Sequence, residues 1–81
     1  MKVQILYFAS FRELSGTTSE SIDLEAGASV GDLKVQILKK YPVLSDQWPF
    51  AITTVNRKYV KSEHILVDGD EFGIMPPISG G

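Results

Sequence analysis

Apolar and polar residues alternate from Lys2 to Phe8, with Val3, Ile5 and Tyr7 on one side and Gln4, Leu6 and Phe8 on the other. A period of two predicts a strand that turns Val3, Ile5 and Tyr7 toward a core. The second side becomes apolar at Leu6 and Phe8, so it is expected to be covered as well. Ser10 to Gly16 breaks the alternation and reads as a short turn ended by Gly16. Alternation resumes from Thr18 to Leu24, with Ile22 and Leu24 inward and Ser19, Ser21 and Asp23 outward. These two strands predict an N-terminal hairpin.

The period then changes. Val30, Leu33, Ile37, Leu38 and Tyr41 form one apolar stripe at helical spacing. Ser29 is placed to cap its first turn, and Asp32 supplies the carboxylate three residues on. Lys39 and Lys40 suit the negative end of the helix, and Pro42 stops it. Val43 to Pro49 reads as a connection in which Trp48 packs at the edge of the domain. Phe50 to Val55 predicts a third strand, Asn56-Arg57 a tight turn, and Lys58 to Lys61 a short fourth strand. Val67-Asp68-Gly69-Asp70 is a turn, aspartates around a glycine. Glu71 to Met75 is the last strand, with Phe72 and Ile74 opposed to Glu71, Gly73 and Met75.

The order β-β-α-β-β-β requires the helix to cover one face of a mixed sheet, an α+β architecture with the first and last strands parallel at the centre. This is the β-grasp, or ubiquitin-like, arrangement. Residues 1–75 are expected to form the domain, and residues 76–81 a flexible tail projecting into solvent from a central strand.

Composition narrows the chemistry. The 81 residues form one domain, 43% hydrophobic and 22% charged. A net charge of −2 without a basic tract gives no footprint for nucleic acid. No apolar run reaches membrane-spanning length, and the first residues lack a signal-peptide layout, so a cytoplasmic location is expected. The absence of cysteine excludes disulfides, thiolate metal sites and a cysteine nucleophile. His64 stands alone in a polar stretch and has no partners for a metal site. Asp68, Asp70 and Glu71 could pass for acid–base carboxylates, but the D-G-D pattern is a common turn solution and implies no cleft.

The sequence ends Ile78-Ser79-Gly80-Gly81 after Pro76-Pro77. Two residues without side chains can thread a narrow channel and present a carbonyl without steric shielding. This predicts acyl chemistry at the Gly81 carboxylate. The prolines fix φ and remove two donors, so the last strand cannot continue and the tail begins as a stiff segment. Pre-ordering of this kind lowers the entropy lost on insertion into a partner.

Asp68-Gly69-Asp70-Glu71, a strand, and then Pro76-Pro77-Ile78-Ser79-Gly80-Gly81 resemble the C-terminus of the small subunit of molybdopterin synthase, whose family ends in D-G-D-E, a strand and P-P-[VI]-[ST]-G-G. Leu6-Tyr7-Phe8-Ala9 with Arg12-Glu13-Leu14, and Val55-Asn56, are similar to the family's first strand and central turn. The resemblance covers essentially the whole chain.

It implies that an ATP-using activating enzyme adenylates Gly81 and that a sulfur donor converts the adenylate to a thiocarboxylate. The tail then gives its sulfur to a cyclic pterin phosphate in a larger subunit. The resemblance also implies a heterotetramer, with Gly80 and Gly81 as the reactive end. Phe8, Arg12, Tyr59 and Met75 would then contact partners together with Pro76, Pro77, Ile78 and Ser79. It implies no intrinsic cofactor, since ATP would belong to the activating enzyme. Sulfur carried on Gly81 would account for the missing cysteine. Three alternatives remain open: a thiamine-pathway sulfur carrier, against which Pro76-Pro77 argues; a modifier joined to lysines through Gly81; and a β-grasp binding module with an inert tail.

Overall fold

The computed structural model describes residues 1–77. Five strands form one sheet in the order β2-β1-β5-β3-β4. They are β1 (Lys2–Tyr7), β2 (Ser19–Asp23), β3 (Ile52–Val55), β4 (Lys58–Tyr59) and β5 (Glu71–Met75). β1 and β5 run parallel, Ile5 opposite Phe72 and Tyr7 opposite Ile74, while the other neighbours are antiparallel. The last strand therefore lies between the first and the third, and the expected β-grasp arrangement is present.

The main helix, α2 (Val30–Lys40), begins where its capping signal lies. The Ser29 hydroxyl accepts from the Asp32 N–H at 3.2 Å, and the Asp32 carboxylate accepts from the Ser29 N–H at 2.9 Å. Val30, Leu33 and Ile37 are buried, with Leu38 and Tyr41 packed at the margin of the core. The core they join contains Val3, Ile5, Tyr7, Phe72 and Ile74 from the two central strands. Alternation along β1 and β5 thus decides which face meets the helix.

Four local expectations are corrected. Ser10–Ser15 is a short helix, α1, rather than only a turn, and it closes on Gly16 at φ 76°. It buries Phe11, an apolar anchor that a turn would not need. Trp48 does not sit at the domain edge. It is 8% exposed, stacks on Phe72 at 6.4 Å between centroids and meets the edge of Phe11 at 6.4 Å. It reaches the core because Trp48–Phe50 is a 3-10 turn, so β3 begins only at Ile52. A second 3-10 turn, Pro42–Leu44, buries Leu44 just after α2. β4 is two residues long, although the Val60 N–H still donates to the Thr53 carbonyl at 3.1 Å.

Candidate functional site

The face of the sheet away from α2 carries the residues that alternation turns outward. Leu6 comes from β1 and Phe8 from just past its end, Thr54 from β3, Tyr59 from β4, and Glu71, Gly73 and Met75 from β5. With Arg57 they line a shallow hollow of about 570 Å³. Phe8 and Tyr59 do not pack internally: they are 42% and 78% exposed. Phe8, Tyr59 and Met75 therefore share one accessible, mainly apolar surface, a setting suited to binding a partner.

Gly73 forms part of its floor. A Cβ built there would stand 2.7 Å from Thr54 Oγ1 and 3.4 Å from Phe8 Cε2. The missing side chain is what lets the Phe8 ring edge come close to the backbone of the central strand. Leu6 was expected on this face. Arg57 and Thr54 were not. Asn56 and Arg57 both take positive φ, 51° and 70°, in the turn between β3 and β4. The sequence showed that turn without showing that it carries Arg57 to the rim.

Arg12 is exposed on α1 and does not line the hollow. Pro76 and Pro77 follow β5 directly and border a separate cleft with Phe11, Asp46, Gln47 and Phe50. Pro76 is half-buried there, so the chain just past β5 stays close to the domain. Ile78, Ser79, Gly80 and Gly81 lie outside the described residues.

The acidic turn before β5 is structural. The Asp70 carboxylate is 6% exposed and accepts from Asn56 Nδ2 at 2.9 Å and from the Val67 N–H at 2.8 Å. Asn56 Oδ1 in turn accepts from the Glu71 N–H at 3.0 Å. Asp68 accepts from the Lys2 N–H at 2.7 Å. These bonds fix the start of β5 against β1 and β3 and leave no open acid–base pair. Among the described residues no His, Cys, Asp and Glu cluster could hold a metal ion, and no helix is long and apolar enough to cross a membrane.

The displaced pKa values belong to a cluster on the helix side. Glu20 of β2 accepts from the Tyr7 hydroxyl at 2.8 Å, from the Tyr41 hydroxyl at 2.8 Å and from Lys40. Burial raises the Glu20 pKa, but the hydrogen bonds from Lys40, Tyr41 and Tyr7 outweigh it, and the net shift is downward. Burial, then Glu20, pushes the Tyr7 and Tyr41 hydroxyls up. This cluster ties β1 and β2 to the end of α2.

The sequence model of the ThiS family matches residues 5–81. The chain belongs to that family. It is 37% identical over 83 residues to the molybdopterin synthase sulfur carrier subunit of Chlamydomonas reinhardtii, with all of both chains covered. A Pyrococcus furiosus structure named for subunit 1 of molybdopterin converting factor is 36% identical, with a TM-score of 0.87 over 96% of this chain and 99% of that one. The small archaeal modifier protein 1 of Methanosarcina acetivorans is 28% identical, with a TM-score of 0.83 over 99% of this chain and 96% of that one. The ubiquitin-like β-grasp fold is thus common to carriers and modifiers within reach of this sequence.

Proposed function

We propose that this ThiS-family chain is the sulfur-carrier subunit of molybdopterin synthase. The observation that carries the reading is the exposed Phe8, Tyr59 and Met75 surface at the end of β5 from which Pro76-Pro77 and the diglycine follow. Full-length similarity to a carrier subunit supports it. The domain supplies binding surface and a central strand on which the tail is mounted. The reactive atoms belong to Gly81.

In this reading a Gly81 carboxylate oxygen attacks the α-phosphorus of ATP in an activating enzyme, and pyrophosphate leaves. A sulfide-equivalent donor then displaces AMP at the acyl carbon and leaves a thiocarboxylate. The tail enters the large subunit, its sulfur bonds to cyclic pyranopterin monophosphate, and water cleaves the acyl–sulfur bond, supplying the oxygen that regenerates the carboxylate. Two deliveries complete the dithiolene of molybdopterin. A Cβ at Gly80 or Gly81 would hinder each step in a narrow channel. The carrier is not an enzyme alone, needs no cofactor of its own and works in the cytoplasm within a heterotetramer.

The test is the intact mass of the protein after incubation with ATP, a cognate activating enzyme and sulfide. The expected product has one oxygen replaced by sulfur, mapped to Gly81, and it converts cyclic pyranopterin monophosphate only when the large subunit is added. An unchanged mass, with the activating enzyme active on a control carrier, overturns the reading. Thiocarboxylate formation followed by joining to lysines, without pterin conversion, would support a modifier instead.

A further inference from the structure

Phe50 is 70% exposed, although it is only two residues from the buried Trp48. The 3-10 turn with Pro49 inside it produces this contrast, sending Trp48 into the core and Phe50 out. Ile52 stands opposite Met75 and Thr53 opposite Ile74. The ladder ends at that Ile52–Met75 pair, because Phe50 lies in the 3-10 turn and the prolines have no N–H to extend it. What opens there is a cleft of about 360 Å³ lined by Phe11, Asp46, Gln47, Phe50, Pro76 and Pro77. Its walls are preformed. Phe11 is fully buried, and the Ser10 hydroxyl donates to Gln47 Oε1 at 3.0 Å, joining the start of α1 to the loop. None of its residues lines the outer-face hollow.

We propose that this cleft is a docking socket for a long basic side chain, an arginine, of the ATP-dependent activating enzyme. The inference rests on the carrier reading above. Gly81 is four positions beyond Pro77, and a fully extended chain of that length spans at most about 14 Å. An enzyme that encloses Gly81 beside ATP must therefore bring its surface over Pro77 and the cleft. Adenylation also sets a carboxylate against a triphosphate, and the carrier itself has a net charge of −2. The wall of that enzyme's tail channel must be cationic to hold these groups together. The cleft complements such a wall. The Asp46 carboxylate pairs with a guanidinium, the Phe50 ring offers it a face, and the prolines receive the apolar stem.

Phe50→Ser and Asp46→Lys test the socket, with Asp46→Glu as the conservative control. Pyrophosphate release by a purified activating enzyme is measured against carrier concentration, beside thermal melts of each variant. Phe50→Ser and Asp46→Lys are each expected to raise the KM for the carrier about tenfold. The kcat and the melting midpoint stay at wild-type values, and Asp46→Glu stays near wild type. Added salt narrows the Asp46→Lys defect and leaves that of Phe50→Ser. An unchanged KM in both variants, with the wild-type carrier adenylated normally, overturns the socket. A defect confined to sulfur delivery from preformed thiocarboxylate to the large subunit overturns the assignment to the activating enzyme. A wild-type carrier that is not adenylated at all sinks the carrier reading and the socket with it.

Discussion

Gly73 shows how much a single position decides on the outer face. It is buried in the central strand, yet its alternation points it away from the core. Only the lack of a Cβ keeps the hollow open beneath Phe8, because Thr54 Oγ1 already occupies the neighbouring space at 2.7 Å from the built atom. Thr54 is β-branched and 8% exposed, so it has little room to rotate away. Gly73→Val should therefore destabilise the domain by about 1–3 kcal/mol through overpacking. Thr54→Ala in the same chain should recover part of that loss, and urea unfolding of the single and double variants reads the coupling. A glycine in a strand announces itself in the sequence. That it faces a threonine across the ladder does not, because the pairing of β3 with β5 joins segments far apart along the chain.

At the level of elements, periodicity and capping made most of the fold legible. The α2 stripe, the Ser29–Asp32 box and the alternation of β1 and β5 are local patterns, and each predicts the face it buries. What escaped was decided by tertiary packing. The Val43 to Pro49 connection contains no periodic signal, yet two 3-10 turns aim Leu44 and Trp48 at the core. Ser10–Ser15 is too short for periodicity to speak, and it is held by Phe11. The candidate site divides in the same way. Alternation set Phe8 and Met75 opposite the core-facing residues and the family resemblance named Tyr59 beside them, whereas Arg57 and the Phe50 cleft depend on turn geometry. The Glu20 cluster was equally hidden, since it gathers Tyr7, Tyr41 and Lys40 from three elements.

That cluster has a pH signature. The folded state holds the Glu20 carboxyl below its ordinary value of 4.5, so the native protein binds this proton less tightly than the unfolded chain. The resulting stability is present above the ordinary value and is lost as pH falls through the lowered one. Glu20→Gln should melt below wild type at neutral pH, and the gap should close as the pH drops below 4.5, in thermal melts at stepped pH.

For the whole molecule, the sheet separates stability from recognition. The helix side holds the core, while the other side exposes Tyr59 and Phe8 next to the exit of β5. Tyr59→Ser should leave unfolding within about 0.5 kcal/mol of wild type, as for most surface changes. It should also weaken calorimetric binding to the large subunit about tenfold or more, as loss of an aromatic anchor does. The position of β5 has a further consequence for how the protein is made. Of the five described strands, this central one is synthesised last, and it must insert between two strands already made. Until Met75 has emerged, β1 and β3 have no strand between them and the core lacks Phe72 and Ile74. Folding of the sheet therefore waits for β5 to emerge, and long-range pairing of this kind is slow to nucleate. A chain truncated before β5 cannot complete its sheet, so nascent fragments lack the Glu71, Gly73 and Met75 side of the outer-face hollow.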